Sequence, residues 1–214
     1  LQMVIEAKAI VNSKDQDGQT PLMLAAKQQS PDLVKVLLDA GADATEEDSL
    51  GRSASDMVKV PLAPSGQEKK QQENVKAMIE DKERPKKYGS MLLSAIEQKD
   101  ARTAESAIEA GGDVNSMDSK GDSPVILVAK GKWKGQESAQ VRIIEKAHKA
   151  GAVINHKNTQ GSTALLYAAF RGNSAVVDVL LRLKAEVDIV NAEGNTALMY
   201  AAHGGNESIS TMLL

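Results

Sequence analysis

Apolar positions in residues 158–188 follow the spacing of one helical face twice over. The first run ends at Gly172 and Asn173, a pair that breaks helices, and the second run covers residues 176–181. Thr163 precedes the first run, where a helix N-cap is needed, and its hydroxyl can accept a free backbone N–H. The pattern therefore predicts two short amphipathic helices, neither of which can bury its apolar stripe alone.

The same pattern recurs along the chain, so each predicted helix pair has neighbours on which to pack. Gly18 and Gly51 differ by 33 in residue number, as do Gly161 and Gly194, and each glycine opens a turn before an apolar run. A period of about 33 residues, with one turn and two helices per period, is typical of a stacked helical repeat.

The most regular copy lies near the N-terminus. Its key residues are Asp15-x-x-Gly18-x-Thr20-Pro21-Leu22-x-x-Ala25-Ala26 and Val34-x-x-Leu37-Leu38-x-x-Gly41-Ala42-Asp43. On these residues the chain resembles the ankyrin-repeat family, and the resemblance covers nearly all of its 214 residues. It implies an all-α solenoid of stacked helix-turn-helix units that are joined by β-hairpin-like turns.

The expected repeats follow this pattern to different degrees. We expect a partial repeat at 1–14, repeats at about 15–47, 48–84, 85–117, 118–157 and 158–190, and a truncated repeat at 191–214. Repeats 48–84 and 118–157 contain inserted helix–helix loops, at about 60–74 and 130–140. Repeat 85–117 is degenerate, with only residues 84–89 in place of its turn. Because neither end has the polar face of a capping repeat, we interpret the chain as a fragment of a longer protein.

Two lysines stand where the repeat has a helix-ending glycine. Lys8 and Lys184 occupy the place that Gly41 holds in the regular copy. Glycine is favoured there because it adopts φ > 0 without a steric cost. We therefore expect either a strained lysine with positive φ at both places or a different exit from the helix.

The composition of the chain argues against several classes of function. Hydrophobic residues make up 42% of the chain but aromatic residues only 2%, so aliphatic side chains must form the core. The net charge of −3, from 26 basic and 29 acidic residues, argues against a nucleic-acid surface. The absence of cysteine excludes disulfides and thiolate metal sites. No apolar run reaches the ~20 residues of a membrane span and no signal peptide opens the chain, which favours an intracellular, cytoplasmic location.

Signals for catalysis are weak. His148, His156 and His203 have no metal-ligating partner at helical spacing and are interpreted as surface or capping residues. There is no phosphate-binding glycine motif, and no pair of carboxylates can be assigned as acid and base. We expect neither catalysis nor a cofactor. The basic pair Lys86 and Lys87 is either a solvated surface or a small docking patch.

The resemblance implies protein–protein recognition through a concave surface of hairpin tips and first helices, with the fragment itself monomeric. The alternative is a targeting or regulatory module of a larger enzyme or effector whose catalytic domain lies elsewhere. The expected contact residues are Lys14, Gln16, Gln19, Lys27, Lys120, Asp122, Trp133, Gln160, Phe170, Arg171, Glu193, Asn195 and His203.

Two of these contact residues have alternative interpretations. Phe170 either anchors a partner or packs on a neighbouring repeat, and Trp133 either folds back into its loop or faces a partner. The inserted loops would emerge away from the hairpin tips, where a second contact surface would lie.

Overall fold

The computed structural model describes residues 10–58 and 66–214, and every regular element among them is helical. The predicted all-α class is therefore confirmed for the described residues. The chain divides into two compact units, Leu1–Lys87 (unit 1) and Tyr88–Leu214 (unit 2). The helices are α1 (Pro21–Lys27), α2 (Pro31–Asp39), α3 (Gly66–Glu97), α4 (Ala101–Glu109), α5 (Pro124–Lys130), α6 (Glu137–Lys149), α7 (Ala164–Arg171), α8 (Ser174–Arg182), α9 (Ala197–His203) and α10 (Glu207–Leu213), with a short 3₁₀ turn at Ser55–Met57.

In unit 1, α1 and α2 form the predicted helix pair. The Thr20 hydroxyl accepts the Met23 N–H at 3.4 Å, and Pro21 occupies the first turn, where its missing N–H costs nothing. The helices pack on each other, and the 3₁₀ turn packs on α1. Val75 and Ile79 of α3 are fully buried in the same apolar cluster, as expected for a second-helix face.

Helix α3 departs from the sequence prediction. We expected a loop as far as residue 74 and a break at 84–89, whereas one 32-residue helix runs from Gly66 to Glu97 with Pro85 inside it. The residues around Pro85 are mostly Lys, Glu, Gln, Met and Leu, whose summed helix preference outweighs a proline cost of about 3 kcal/mol. The rest of the expected first loop lies outside the described residues, as do residues 1–9, which include Lys8.

Unit 2 consists of two packed layers of helices. The first helices α5, α7 and α9 lie side by side, and so do the second helices α4, α6, α8 and α10. Leu165 of α7 and Leu180 of α8 are both buried in one apolar cluster. The inserted loop before α6 is shorter than expected, because part of the insertion lengthens the helix that follows. That helix, α6, has 13 residues, against 9 in α8.

Each turn is held by the side chain of its first residue. In unit 2, Asn158 Oδ1 accepts the backbone N–H groups of Gln160 and Ser162, both at 3.0 Å. The same pair of bonds recurs in four other turns, which begin at Asp15, Asp48, Asp118 and Asn191. These bonds close the turn independently of any partner helix.

Backbone hydrogen bonds join neighbouring turns. The Thr159 N–H donates to the Lys120 carbonyl at 3.1 Å, and the Ala192 N–H donates to the Gln160 carbonyl at 2.9 Å. The two turns of unit 1 are joined in the same way. The main chain therefore fixes the spacing of the turn tips within each unit.

The helix exit at Lys184 is strained as expected. Its φ is +66°, in the left-handed region that Gly41, Gly111 and Gly151 occupy at the ends of α2, α4 and α6. A non-glycine residue in this conformation costs on the order of 1 kcal/mol. Of the two outcomes expected at this position, the positive φ is the one that the structure shows.

Candidate partner-binding site

A groove of about 270 Å³ lies in unit 2, between the turns at 158–162 and 191–195 and against α7 and α9. Three of the expected contact residues, Gln160, Phe170 and Glu193, line it together. The full lining is Gln160, Ser162, Leu166, Tyr167, Phe170, Asn191, Ala192, Glu193 and Tyr200. We call this feature the aromatic groove.

Three aromatic rings meet in the aromatic groove. Phe170 is 54% exposed, and its ring centroid lies 5.3 Å from that of Tyr200 in an edge-to-face arrangement at 72°. Tyr167 lines the same groove. The chain has only five aromatic residues, so three of them are concentrated at one surface. Phe170 packs on Tyr200 of the next repeat and still leaves more than half of its surface exposed, so the packing interpretation holds and the partner contact stays a prediction.

The two tyrosines are oriented by the residues that open their turns. Asn158 Nδ2 donates to the Tyr167 hydroxyl at 3.1 Å, and Asn191 Nδ2 donates to the Tyr200 hydroxyl at 2.9 Å. The three turns that open with Asp have no tyrosine at the matching place nine residues later; there the chain has Leu24, Met57 and Leu127. In both asparagine turns, the side-chain amide therefore donates a hydrogen bond to the tyrosine hydroxyl of the same repeat.

Sequence reasoning missed both tyrosines. The available signal was their recurrence, since Tyr167 and Tyr200 each follow the capping threonine of their helix by four positions. A residue that recurs at the same place in adjacent repeats projects from the same face of adjacent helices. It is therefore a candidate for a shared surface.

Asp122 is not an exposed contact, which corrects the sequence prediction. Its side chain is fully buried, and it accepts hydrogen bonds from Lys130 Nζ and Asn158 Nδ2, each at 2.6 Å. The two partners lie 8 and 36 positions away in the chain. A buried carboxylate is retained when it is paired and hydrogen-bonded in this way, so Asp122 is a structural residue of the repeat.

Lys130 links that buried pair to the aromatic groove. Its Nζ lies 5.1 Å from the centroid of the Tyr167 ring, within range of a cation–π interaction. Burial disfavours the charged form, but the hydrogen bond and the charge of Asp122 outweigh it, so the pKa of Lys130 is raised above its ordinary value. Lys130 is therefore charged at neutral pH and holds the carboxylate and the ring together.

Arg171 lies beside the aromatic groove. Its Nε donates to the Lys130 carbonyl at 2.9 Å, and its guanidinium carbon lies 5.4 Å from the centroid of the Phe170 ring. The side chain is exposed. The predicted Phe170–Arg171 pair is thus an aromatic ring and a cation in contact, both open to solvent.

The remaining predicted residues of unit 2 lie outside the lining of the groove. Lys120 is exposed on the tip of the adjacent turn, and His203 is exposed in the last turn of α9. Asn195 is half-buried and donates to the Glu193 carboxylate at 3.1 Å. Asn195 therefore contacts the groove through Glu193, which is part of its lining.

The predicted role of Trp133 as a partner contact is also corrected. It is only 3% exposed and belongs to the apolar cluster of unit 2, so it folds back into its own loop. Gly131 makes room for it, because a Cβ at that position would overlap the indole nitrogen. The indole is therefore part of the protein interior.

Four predicted contacts lie in unit 1. Gln16 and Lys27 are exposed, whereas Lys14 pairs with the Glu46 carboxylate at 2.7 Å. Gln19 is half-buried and donates to Asp17 at 3.4 Å. None of these four residues lines the aromatic groove.

The surroundings of His156 and His148 suit a structural role. His156 Nε2 lies 2.9 Å from the Gly121 carbonyl, and His148 is exposed in the last turn of α6, where a positive charge suits the helix dipole. Within residues 10–58 and 66–214, no three His, Cys, Asp or Glu side chains are grouped closely enough to hold a metal ion. None of the described helices has the length and apolar character that crossing a membrane requires.

Comparison with known proteins places these features in a family. Residues 135–214 match the family "Ankyrin repeats (3 copies)" and residues 4–58 match "Ankyrin repeats (many copies)". Residues 59–134, which contain the whole of α3, lie outside both matches.

Two longer proteins are similar to the chain. Protein lin-12 of Caenorhabditis elegans is 26% identical over 83% of this chain and 10% of its own length. Human ankyrin repeat domain-containing protein 63 is 24% identical over 81% of this chain and 36% of its own length. With the family matches and the repeated helix pairs, the chain belongs to the ankyrin-repeat family, whose members are in general protein–protein interaction modules.

Proposed function

We propose that the chain binds another protein through the aromatic groove. The observation that carries this proposal is that three of its five aromatic residues line one groove, with Phe170 more than half exposed. Aromatic residues and arginine are enriched among the residues that dominate binding energy at interfaces. Phe170 and Arg171 are the anchors of this surface.

The mechanism is docking onto a preformed surface. Side-chain bonds close each turn, backbone bonds join the turns, and Asn158 and Asn191 hold the two tyrosine rings in place. A surface held in this way loses little conformational freedom when a partner binds. The charges of Lys120 and Glu193 would then favour a partner with complementary charges.

The test compares two exposed apolar side chains of unit 2. The partner is captured from the native cell on immobilised chain and identified by mass spectrometry, and its affinity is then measured for Phe170→Ala and Val153→Ala. Val153 is 55% exposed, like Phe170, but does not line the groove. We expect Phe170→Ala to weaken binding about tenfold or more, as for an interface anchor, and Val153→Ala to leave it unchanged.

The control for this test is the circular dichroism spectrum, which should be the same for both variants because both side chains are exposed. Equal affinities of the parent and Phe170→Ala for the captured protein would exclude the groove as its binding site.

A second candidate function is a targeting or regulatory module within a larger enzyme or effector, with no catalysis by this segment. The observation that favours it is that the chain spans about a tenth of lin-12 and about a third of ankyrin repeat domain-containing protein 63. In those proteins the similar segment is one part of a longer chain. The full-length sequence is the test, since a catalytic motif outside residues 1–214 supports this candidate. Hydrolase or transferase turnover by the segment itself would contradict it.

A further inference from the structure

A second cavity in unit 2 is lined by cations. This cleft, of about 340 Å³, lies between the inserted loop at 131–136 and the turn at 171–175 that connects α7 to α8. Lys132, Lys134 and Arg171 all line it, and all three are exposed. Its size is at the lower end of the ~300–1,000 Å³ typical of ligand pockets, which suits a short run of side chains. We call it the lysine cleft.

The lysine cleft carries a local excess of positive charge. Glu137 is the one acidic residue in its lining, and no described carboxylate forms an ion pair with any of the three cations. The Glu137 carboxylate instead accepts the Gly135 N–H at 3.3 Å. The cleft therefore has three cations that form no ion pair with a described carboxylate and one carboxylate that already accepts a hydrogen bond. This local excess of positive charge contrasts with the net charge of −3 of the whole chain.

The indole of Trp133 forms part of the cleft wall, between the two lysines in the sequence. Because the ring is packed into the core, the loop that carries the lysines is anchored at its centre. The cations are therefore presented from a fixed loop, and less conformational entropy is lost when a ligand contacts them.

We propose that the lysine cleft binds an acidic segment of a protein, with Asp or Glu side chains facing Lys132, Lys134 and Arg171. Charge complementarity supports this occupant, since carboxylates would pair with cations that form no ion pair with any described carboxylate. A nucleic acid fits less well, because its extended phosphate backbone requires a basic stripe and the chain as a whole is acidic. The lysine cleft and the aromatic groove share no lining residue, although Arg171, which lines the cleft, also contacts Phe170 of the groove.

The experiment uses a fluorescein-labelled peptide of alternating Glu and Gly, and fluorescence anisotropy measures its binding to the chain. We expect saturable binding that weakens as salt is added. The double variant Lys132→Gln with Lys134→Gln should bind about tenfold more weakly. Emission from Trp133, the only tryptophan, should change on binding to the parent because its ring borders the site.

The matched control removes the same charge elsewhere in unit 2. Lys149 and Lys157 are exposed and do not line the cleft, so Lys149→Gln with Lys157→Gln should retain the parent affinity within about twofold.

Three outcomes would overturn the assignment. One is the absence of saturable binding, and another is equal weakening in the two double variants. The third is tighter binding of a single-stranded DNA of equal charge with the same dependence on Lys132 and Lys134, which would identify a nucleic-acid site instead.

Discussion

The Nζ atom of Lys130 lies 2.6 Å from a carboxylate oxygen of Asp122, and that carboxylate is fully buried. The other carboxylate oxygen accepts the Asn158 side-chain N–H. The ion pair connects the turn at 118–122 to the end of α5, and the hydrogen bond to Asn158 connects that turn to the following repeat. The buried carboxylate therefore joins two neighbouring repeats and is not part of a surface charge pair.

Asp122→Ala should lower the free energy of unfolding by about 2–3 kcal/mol, because it leaves the Lys130 ammonium and an Asn158 N–H without their buried acceptor. The ammonium is partly exposed, which keeps the effect below that of a fully buried pair. Urea denaturation of the parent and the variant measures the difference. A control change at a surface ion pair, Lys76→Ala, should cost less than about 1 kcal/mol. An equally small change for Asp122→Ala would contradict the structural role of the pair.

Asp48→Asn should alter how the stability of the chain depends on pH. The Arg52 guanidinium hydrogen-bonds the Asp48 carboxylate and lowers its pKa from 3.8 to about 2. A carboxyl with a depressed folded-state pKa stabilises the protein above its unfolded pKa, and this stabilisation is lost as the pH falls from about 4 to about 2. The parent should therefore be more stable than Asp48→Asn at pH 7, and the difference should narrow towards pH 2.

Denaturant titrations of the parent and of Asp48→Asn, from pH 7 to pH 2, measure this difference in stability. Asparagine is a suitable replacement because Asn158 and Asn191 already close the same kind of turn, so the turn is preserved. A stability difference between the parent and Asp48→Asn that stays constant from pH 7 to pH 2 would show that Asp48 does not titrate as described.

Gly131→Ala should displace the indole of Trp133. The backbone of Gly131, at φ −69° and ψ 143°, is open to any residue, so the effect would be steric. We expect a red shift in tryptophan emission as the ring becomes exposed and a loss of stability of about 1–3 kcal/mol from overpacking. Gly66→Ala is the control, because nothing lies within 4 Å of a Cβ there. An unshifted emission spectrum in Gly131→Ala would argue against the close contact.

Lys184→Gly should stabilise the chain by up to about 1 kcal/mol, because glycine relieves the strain at φ +66°. The same substitution at Lys149, the last residue of α6, should instead cost about 1 kcal/mol, since glycine lowers helix propensity. Thermal unfolding of the two variants should shift in opposite directions. A fall in the unfolding midpoint for both would show that the lysine is not strained.

Leu180→Ala should destabilise the chain by ~2–5 kcal/mol, since its side chain is completely buried and truncation leaves a cavity. Leu165→Ala should act in the same way in α7. Leu214 is 93% exposed, so Leu214→Ala is expected to leave the denaturation midpoint almost unchanged. Similar midpoints for Leu180→Ala and Leu214→Ala would contradict the packing of unit 2.

Periodicity predicted the helix pairs well because the apolar face of each helix is a local property of the sequence. The caps at Thr20 and Thr163 and the strained exit at Lys184 followed from the same local rules. Helix α3 was not predicted, because Pro85 and Gly89 are residues that usually end a helix. Here they lie among strong helix formers, and the helix continues through them.

The candidate site was predictable where the repeat itself places a side chain on the surface. Gln160, Phe170 and Glu193 were found in this way. Asp122 and Trp133 were assigned wrongly because their burial depends on particular partners in the fold, such as Asn158, which lies 36 positions from Asp122. Tertiary pairing of this kind leaves no periodic signal in the sequence.

The main-chain bonds between the turns of unit 2 have a consequence for evolution. Because peptide groups join neighbouring tips, the side chains at Lys120, Gln160 and Glu193 contribute little to the joints and are free to vary. Under the proposed function, mutation at these positions would change the preferred partner with little penalty in folding. A library randomised there would yield folded variants with new binding preferences.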